Sequence, residues 1–221
     1  MIEFKEYEQI CEGVNDPAIF KAVMLAGGPG SGKSFVVGKA SLISLGFKLI
    51  NSDNSFEKAL KKAGLTTNPD DIASAQGQEL RAKAKGLSNK QMDLALRGRL
   101  GLVIDGTGKD YKKIKKQVDE LRAIGYAVHM IFVNTDLETA LARNNSRPRS
   151  LDNDLVSKMW KEVQNNIGKF QGLFRNRLTI VDNSEDSDID KSTMMAYKEI
   201  MAWSKKKPEN KIAIKWMKSQ K

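Results

Sequence analysis

The sequence predicts a three-layer α/β sandwich built on a parallel five-stranded sheet. Short apolar runs bounded by glycines alternate with helical periodicities along the chain, as strands covered by helices on both faces require. The first such run, 22–26, leads straight into Gly27-Gly28-Pro29-Gly30-Ser31-Gly32-Lys33-Ser34, a strand–loop–helix junction. The 221 residues are enough for one such domain with appendages and too few for two.

Taken in order, residues 3–12 read as a short helix, and Asn15-Asp16-Pro17 breaks the chain before the first strand. Strand 22–26 is continuously apolar, which suits a position buried on both faces. A helix over 33–45 ends at Gly46, and strand 47–51 delivers Ser52 and Asp53 at its end. The stretch 55–98 is helical by periodicity, broken by Gly64, Pro69 and Gly86, and too long for a plain crossover. It is expected to form an inserted helical lobe with a solvated cationic face. Strand 100–104 ends in Asp105-Gly106-Thr107-Gly108, and a helix over 110–124 buries Ile114, Val118 and Leu121 at spacings of four and three. Strand 127–133, a helix to 145 capped by Thr135-Asp136, a long helix over 153–174, strand 178–181 and a helix over 189–204 complete the pattern. The expected organisation is a domain over 1–204, with the lid at about 143–152, and a basic tail over 205–221.

Composition narrows the classes. Cys11 is the single cysteine, which rules out an intramolecular disulfide and makes a reducing cytosol the natural compartment. The start MIEFKEYEQI lacks the basic and apolar regions of a signal peptide, and no window approaches the roughly 18 apolar residues of a membrane span. A soluble cytoplasmic protein is expected. The net charge is +10, but seven lysines against one acid, Glu209, crowd residues 205–221, so the body is only mildly basic. Such a tail is either a solvated segment or a contact for nucleic acid.

The loop 27–34 fits the pattern G-x-x-x-x-G-K-[ST] through Gly27, Gly32, Lys33 and Ser34. Gly28, Gly30, Ser31 and Gly32 allow backbone N–H groups to turn around a phosphate at the positive end of a helix. Lys33 is placed to reach the β- and γ-phosphates of ATP, and Ser34 to hold Mg²⁺. No N-K-x-D guanine-reading sequence occurs, since 89–92 is Asn-Lys-Gln-Met. The domain is also too small for a AAA-type ring subunit with its helical lid domain. A sheet of P-loop kinase type fits best.

In such sheets chemistry gathers at the carboxyl ends of the strands. Asp53 is there the candidate base for an attacking hydroxyl, and Asp105 the candidate contact to substrate or metal-bound water; each alternatively caps a helix or turn. Thr107 either binds substrate or caps. Arg143, Arg147 and Arg149, in A-R-N-N-S-R-P-R between two helices, suit a lid that neutralises charge on a transferring phosphoryl group and excludes water. His129, Trp160, Phe170 and Phe174 read as packing residues, and Trp203 and Trp216 as helix anchors, with base stacking as their alternative use.

The segments GGPGSGKS, INSDNSF, LVIDGTGKDYKKIKKQVDELRAIGYAVHMIFVN and ARNNSRPR, in this order, resemble the zeta-toxin/polynucleotide-kinase group of P-loop kinases. The likeness covers about residues 21–183. It implies that Asp53 deprotonates the acceptor hydroxyl, that Asp105 contacts substrate, that Arg143 is a lid arginine, and that Arg147 or Arg149 is a second. It also implies an acceptor that is a nucleotide sugar or a 5′-hydroxyl nucleic-acid end, and leaves room for an antitoxin-like partner. Zeta toxins commonly carry glutamate where Asp105 stands, so the reach toward an amino-sugar acceptor is shorter here. The 221 residues hold no fused phosphatase domain, and the lysine tail has no counterpart in the group. The expected activity is therefore ATP·Mg²⁺-dependent transfer of the γ-phosphoryl group to a hydroxyl. The alternatives are a P-loop ATPase or nucleotide-dependent binding protein with no acceptor, and a nucleic-acid-binding accessory protein working through the tail.

Overall fold

The computed structural model describes residues 13–147 and 150–220. The expected helix over 3–12 and Cys11 lie outside the described residues. Five parallel strands, β1 (Lys21–Ala26), β2 (Lys48–Ile50), β3 (Leu102–Asp105), β4 (Ala127–Asn134) and β5 (Leu178–Asp182), form one sheet in the order β2-β3-β1-β4-β5. The central strand β1 pairs Ala22 with Leu102 on one side and with Val128 on the other. All six of its residues are buried, which explains the unbroken apolar run over 22–26 and leaves Lys21 as its one buried charge.

Alternate residues of β1 feed two cores. Ala22, Met24 and Ala26 join Leu102, Met130 and Phe132 on one face, packed against α5 (Tyr111–Ala123) and α8 (Ile167–Phe174). Val23 and Leu25 join Val103, Ile131 and Val133 on the other, against α1 (Lys33–Lys39) and α9 (Ile189–Ser204). The region expected as an insertion folds as α2 (Ser52–Lys62), α3 (Pro69–Ala73) and α4 (Ala75–Arg97) around its own small core of Phe56, Leu60, Ile72 and Ala84. No helix among the described residues is long and apolar enough to cross a membrane.

Three expectations change. The helix from Lys33 stops at Lys39, and a 3₁₀ turn over Leu42–Leu45 covers the rest before Gly46, at φ +94°, reverses the chain. The long helix over 153–174 is two helices, α7 (Asn153–Gln164) and α8. The break falls at Asn166, whose buried amide donates to the carbonyls of Gly108 and Lys109 and so ties this corner to the loop after β3. The basic stretch 205–221 is not simply a tail, because Lys211–Ser219 forms a helix, α10. Ala213 is fully buried, Trp216 meets Phe20 edge-on at 5.4 Å, and Met217 joins the same core. The lysines are frequent enough to hide this three-and-four spacing from a reading based on charge.

His129 is a core residue, 2% exposed. Thr179 donates its hydroxyl proton to Glu199 at 2.7 Å, so its oxygen accepts from His129 Nε2 at 2.7 Å. Nδ1 then has no partner among the described residues. A second proton would sit there unsolvated. Burial, with Arg177 adding repulsion, accordingly lowers the pKa of His129 to about 4.

Two expectations follow from the packing. The unfolded chain binds a proton on His129 near pH 6.5 and the folded chain only near 4, so the residue's contribution is intact above pH 6.5 and lost as pH falls between them. The loss should be on the order of 3 kcal/mol by the usual conversion of pKa differences, and urea titrations across that window should show it shrink in His129→Gln. Ala213→Asp should lower stability by about 2–4 kcal/mol, read from the urea midpoint, by burying a carboxylate beside Gly125.

Candidate active site

The loop after β1 is shaped by contacts that exclude side chains. Gly30 has φ +76°, and a Cβ there would lie 2.3 Å from the Ala140 carbonyl oxygen. Gly32 has φ +84°, and its Cβ would lie 2.2 Å from the Asn183 side-chain nitrogen. Only glycine meets both the backbone and the space requirements. Asn183 follows β5 and donates from Nδ2 to the Ser31 carbonyl at 2.8 Å. Its own N–H donates to Asn134 O, and its carbonyl accepts from Thr135 Oγ1 and from Arg143 Nη1. One buried asparagine thus ties the loop to the ends of β4 and β5. On the other flank Trp160 lies against Gly28 and donates its indole N–H to Thr135 O at 2.8 Å. That contact places Trp160 on the loop, apart from the core that Phe170 and Phe174 enter.

A cleft of about 750 Å³ opens over the loop. Gly28, Gly30, Gly32, Lys33 and Ser34 line one wall, and Asn51, Asp53, Asn54 and Glu57 of the β2–α2 junction line another. Asp105 forms the floor and Arg147 the rim. The residues singled out in sequence therefore meet, although they come from four separate segments. Asp53 is not the helix cap; Asn51 fills that role by accepting the Asp53 N–H at 2.7 Å, which leaves the Asp53 carboxylate turned to the cleft it lines. Asn51 also donates to Asp105 Oδ2 at 2.8 Å.

Charge in the cleft is under tension. The Lys33 ammonium donates to the carbonyls of Gly27 at 2.7 Å and Gly28 at 3.3 Å. Burial lowers its pKa, Asp105 opposes that, and Arg147 adds to it. Burial raises the pKa of Asp105, against the pull of Lys33 and with a further push from Asp53. Each group lacks the solvation its charge demands.

Ser31 Oγ and Asp105 Oδ1 are buried without a hydrogen-bond partner among the described residues. The first turn of α1 has no side-chain cap, so its N–H groups face the loop. Unused donors here, with Lys33 beside them, fit a polyphosphate. The Ser34 hydroxyl and the Asp105 oxygen without a partner are hard oxygen donors lining the same cleft, and fit Mg²⁺ and its waters.

Other expectations are met less fully. Thr107 does not line this cleft; its carbonyl accepts the Gly27 N–H at 3.1 Å, and its side chain borders a smaller cavity beside Asp105. Arg143, in α6 (Leu137–Asn145), is held on Asn183 beside Gly32, so it belongs to the loop's frame more than to a mobile arm. Arg149 lies outside the described residues. The connection bearing Arg147 is closed by Asn144, which is buried, donates to Leu151 O at 2.7 Å and accepts from its N–H at 2.9 Å. Asn51, Asn144 and Asn183 went unnoticed in sequence, and Trp160, expected to pack with Phe170 and Phe174, braces the loop instead. Asparagines carry no periodic signal, and their value here depends on partners as far as 152 positions away.

Fold and loop together define a nucleotide-binding α/β protein of P-loop kinase type. Residues 23–169 match the family described as AAA domain, and the chain belongs to that family. The match concerns the P-loop domain, whereas the AAA class set aside from sequence was the ring subunit with a helical lid domain. None of the curated proteins matches the chain. Solved structures share its fold at low identity. A protein of Chloroflexus aurantiacus provisionally described as a kinase is 14% identical, over 80% of this chain and 97% of that one, with TM-score 0.53. A chain of the PezAT toxin–antitoxin system of Streptococcus pneumoniae is 15% identical, over 83% and 86%, with TM-score 0.52. A chain of the Pnkp1/Rnl/Hen1 RNA repair complex is 16% identical over 69% of this chain, with TM-score 0.51, and only 46% of its own length is spanned.

Asn183→Ala should keep the fold while loosening the loop. Loss of the bond to Ser31 should cost about 1–2 kcal/mol in urea unfolding. Calorimetric titration should show ATP binding weakened by roughly tenfold.

Proposed function

We propose that this protein is an ATP·Mg²⁺-dependent kinase that transfers the γ-phosphoryl group to a hydroxyl of a nucleotide-containing substrate. The convergence of Lys33, Ser34, Asp53, Asp105 and Arg147 on one cleft carries this reading. Asp53 and Glu57, carboxylates that line the same cleft as the phosphate loop and are separate from Asp105, support a place for an acceptor beside the phosphates. Asp53 and Asn54, at the start of α2, give that side of the cleft a base and an amide suited to holding an acceptor.

In this mechanism the loop amides and Lys33 hold the β- and γ-phosphates, and binding draws the ammonium away from the carbonyls of Gly27 and Gly28. Ser34 and Asp105 would hold Mg²⁺, which when bound would supply positive charge against the phosphate oxygens. Asp53 orients the acceptor hydroxyl and takes its proton as the oxygen attacks. Arg147 closes from the rim, and Arg143 acts beside Gly32, both countering charge on the transferring group; Arg149 is the other candidate on this connection. The resemblance of the sequence to the zeta-toxin/polynucleotide-kinase group supports an acceptor that is a nucleic-acid 5′-hydroxyl or a nucleotide sugar.

The test is incubation with γ-labelled ATP and a panel of 5′-hydroxyl oligonucleotides, nucleosides and UDP-sugars. One class should take up label. Asp53→Asn should lower transfer by about 10²–10⁴-fold while ATP still binds, and Lys33→Ala should abolish turnover in a folded protein. ATP hydrolysis unaffected by Asp53→Asn, with no labelled acceptor, would establish the ATPase reading instead.

A further inference from the structure

The opposite end of the sheet carries a second recess, of about 360 Å³, that the proposed reaction does not use. Lys21 and Ala127, the first residues of β1 and β4, and Arg177, just before β5, form its floor. Arg122 and the connection between α9 and α10, with Lys206 and Lys207, form its walls. It lies one full strand from the phosphate loop, about 20 Å at the usual rise per residue. The two openings share no lining residue.

We propose that this recess is a binding site for a small ligand carrying two or more phosphate-type negative charges. Five cations, Lys21, Arg122, Arg177, Lys206 and Lys207, line it against one carboxylate, Glu209. Lys21 is 4% exposed, and no carboxylate among the described residues lies within ion-pair distance of it. Burying an ammonium unpaired is costly, and placing it among other cations makes the cost larger. Burial first, then Arg177 and Lys206, bring the pKa of Lys21 down to about 8, with only Glu209 pulling the other way. An anion in the recess would offset the cost of burial and the repulsion from Arg177 and Lys206 by its own attraction for the ammonium.

Further donors are already in place. Arg122 is steadied by donating Nη2 to Leu173 O at 3.1 Å. Trp203 lines the recess, and its buried indole N–H has no acceptor among the described residues. Its ring meets Phe47, His129 and the Lys21 ammonium, so it offers a ligand no open stacking face. Depth favours a small molecule over a nucleic-acid strand. A strand crossing the surface reaches the exposed Lys206 and Lys207, but not an ammonium as buried as Lys21.

Inorganic pyrophosphate is the probe, titrated calorimetrically into the full chain. Because the phosphate loop also takes this anion on the reading above, the measurement is made in Lys33→Ala as well as in the unaltered protein. One equivalent should persist in Lys33→Ala and shift the Trp203 indole N–H resonance. Adding Lys21→Met, or Arg177→Gln should the first variant fold poorly, should weaken that equivalent by at least about tenfold, as loss of a charged hydrogen bond requires. Pyrophosphate binding unchanged by both substitutions overturns the proposal. So does a single-stranded oligonucleotide whose binding depends on Lys21 and which pyrophosphate fails to displace.

Discussion

The structure turns on how closely the phosphate loop approaches the backbone around it. Gly30 lies against the Ala140 carbonyl and Gly32 against Asn183, with no room for a Cβ at either position. Those contacts require β4 and β5 to stand on one side of β1, with α6 entering from β4 directly above the loop. β3 and β2 are left to the other side, and they bring Asp105 and the Asn51–Asp53 corner to the cleft. The central place of β1 is thus what lets one loop meet a frame on one flank and carboxylates on the other.

The same arrangement sets the electrostatics. Strands buried on both faces leave polar chemistry only at their two ends. At the carboxyl end, Lys33 and Asp105 sit too deep for their charges to be well solvated, and they only partly offset each other. At the amino end, Lys21 is buried among further cations with Glu209 as the one nearby acid. Both ends hold charge that a bound ion would stabilise, and neither is relaxed without one. His129, between them, stays neutral because burial, and then repulsion from Arg177, disfavours its charged form.

Much of this was readable along the chain. Continuous apolar runs mark strands because parallel strands are covered on both sides, and all five appear within two residues of their expected places. Helix α9 spans 189–204 as its periodicity indicates. Where the reading faltered, a distant partner had intervened. Asn166 breaks a helix by reaching across to Gly108, and Phe20 draws Trp216, and with it a lysine-rich segment, onto the core.

The sequence by itself determined the layered α/β architecture, the phosphate loop with Lys33 and Ser34, and the strand-end aspartates. These depend on periodicity and on short-range spacing, which a linear chain records directly. Only the tertiary structure decided that Asn51 takes the cap and leaves Asp53 on the cleft wall, that Asn183 and Trp160 brace the loop, and that Thr107 stands outside it. It also gathered Lys21, Arg122, Arg177 and Lys206 into one recess, from positions spread across most of the chain. Such contacts arise when strands distant in sequence become neighbours in the sheet, and no local pattern encodes them.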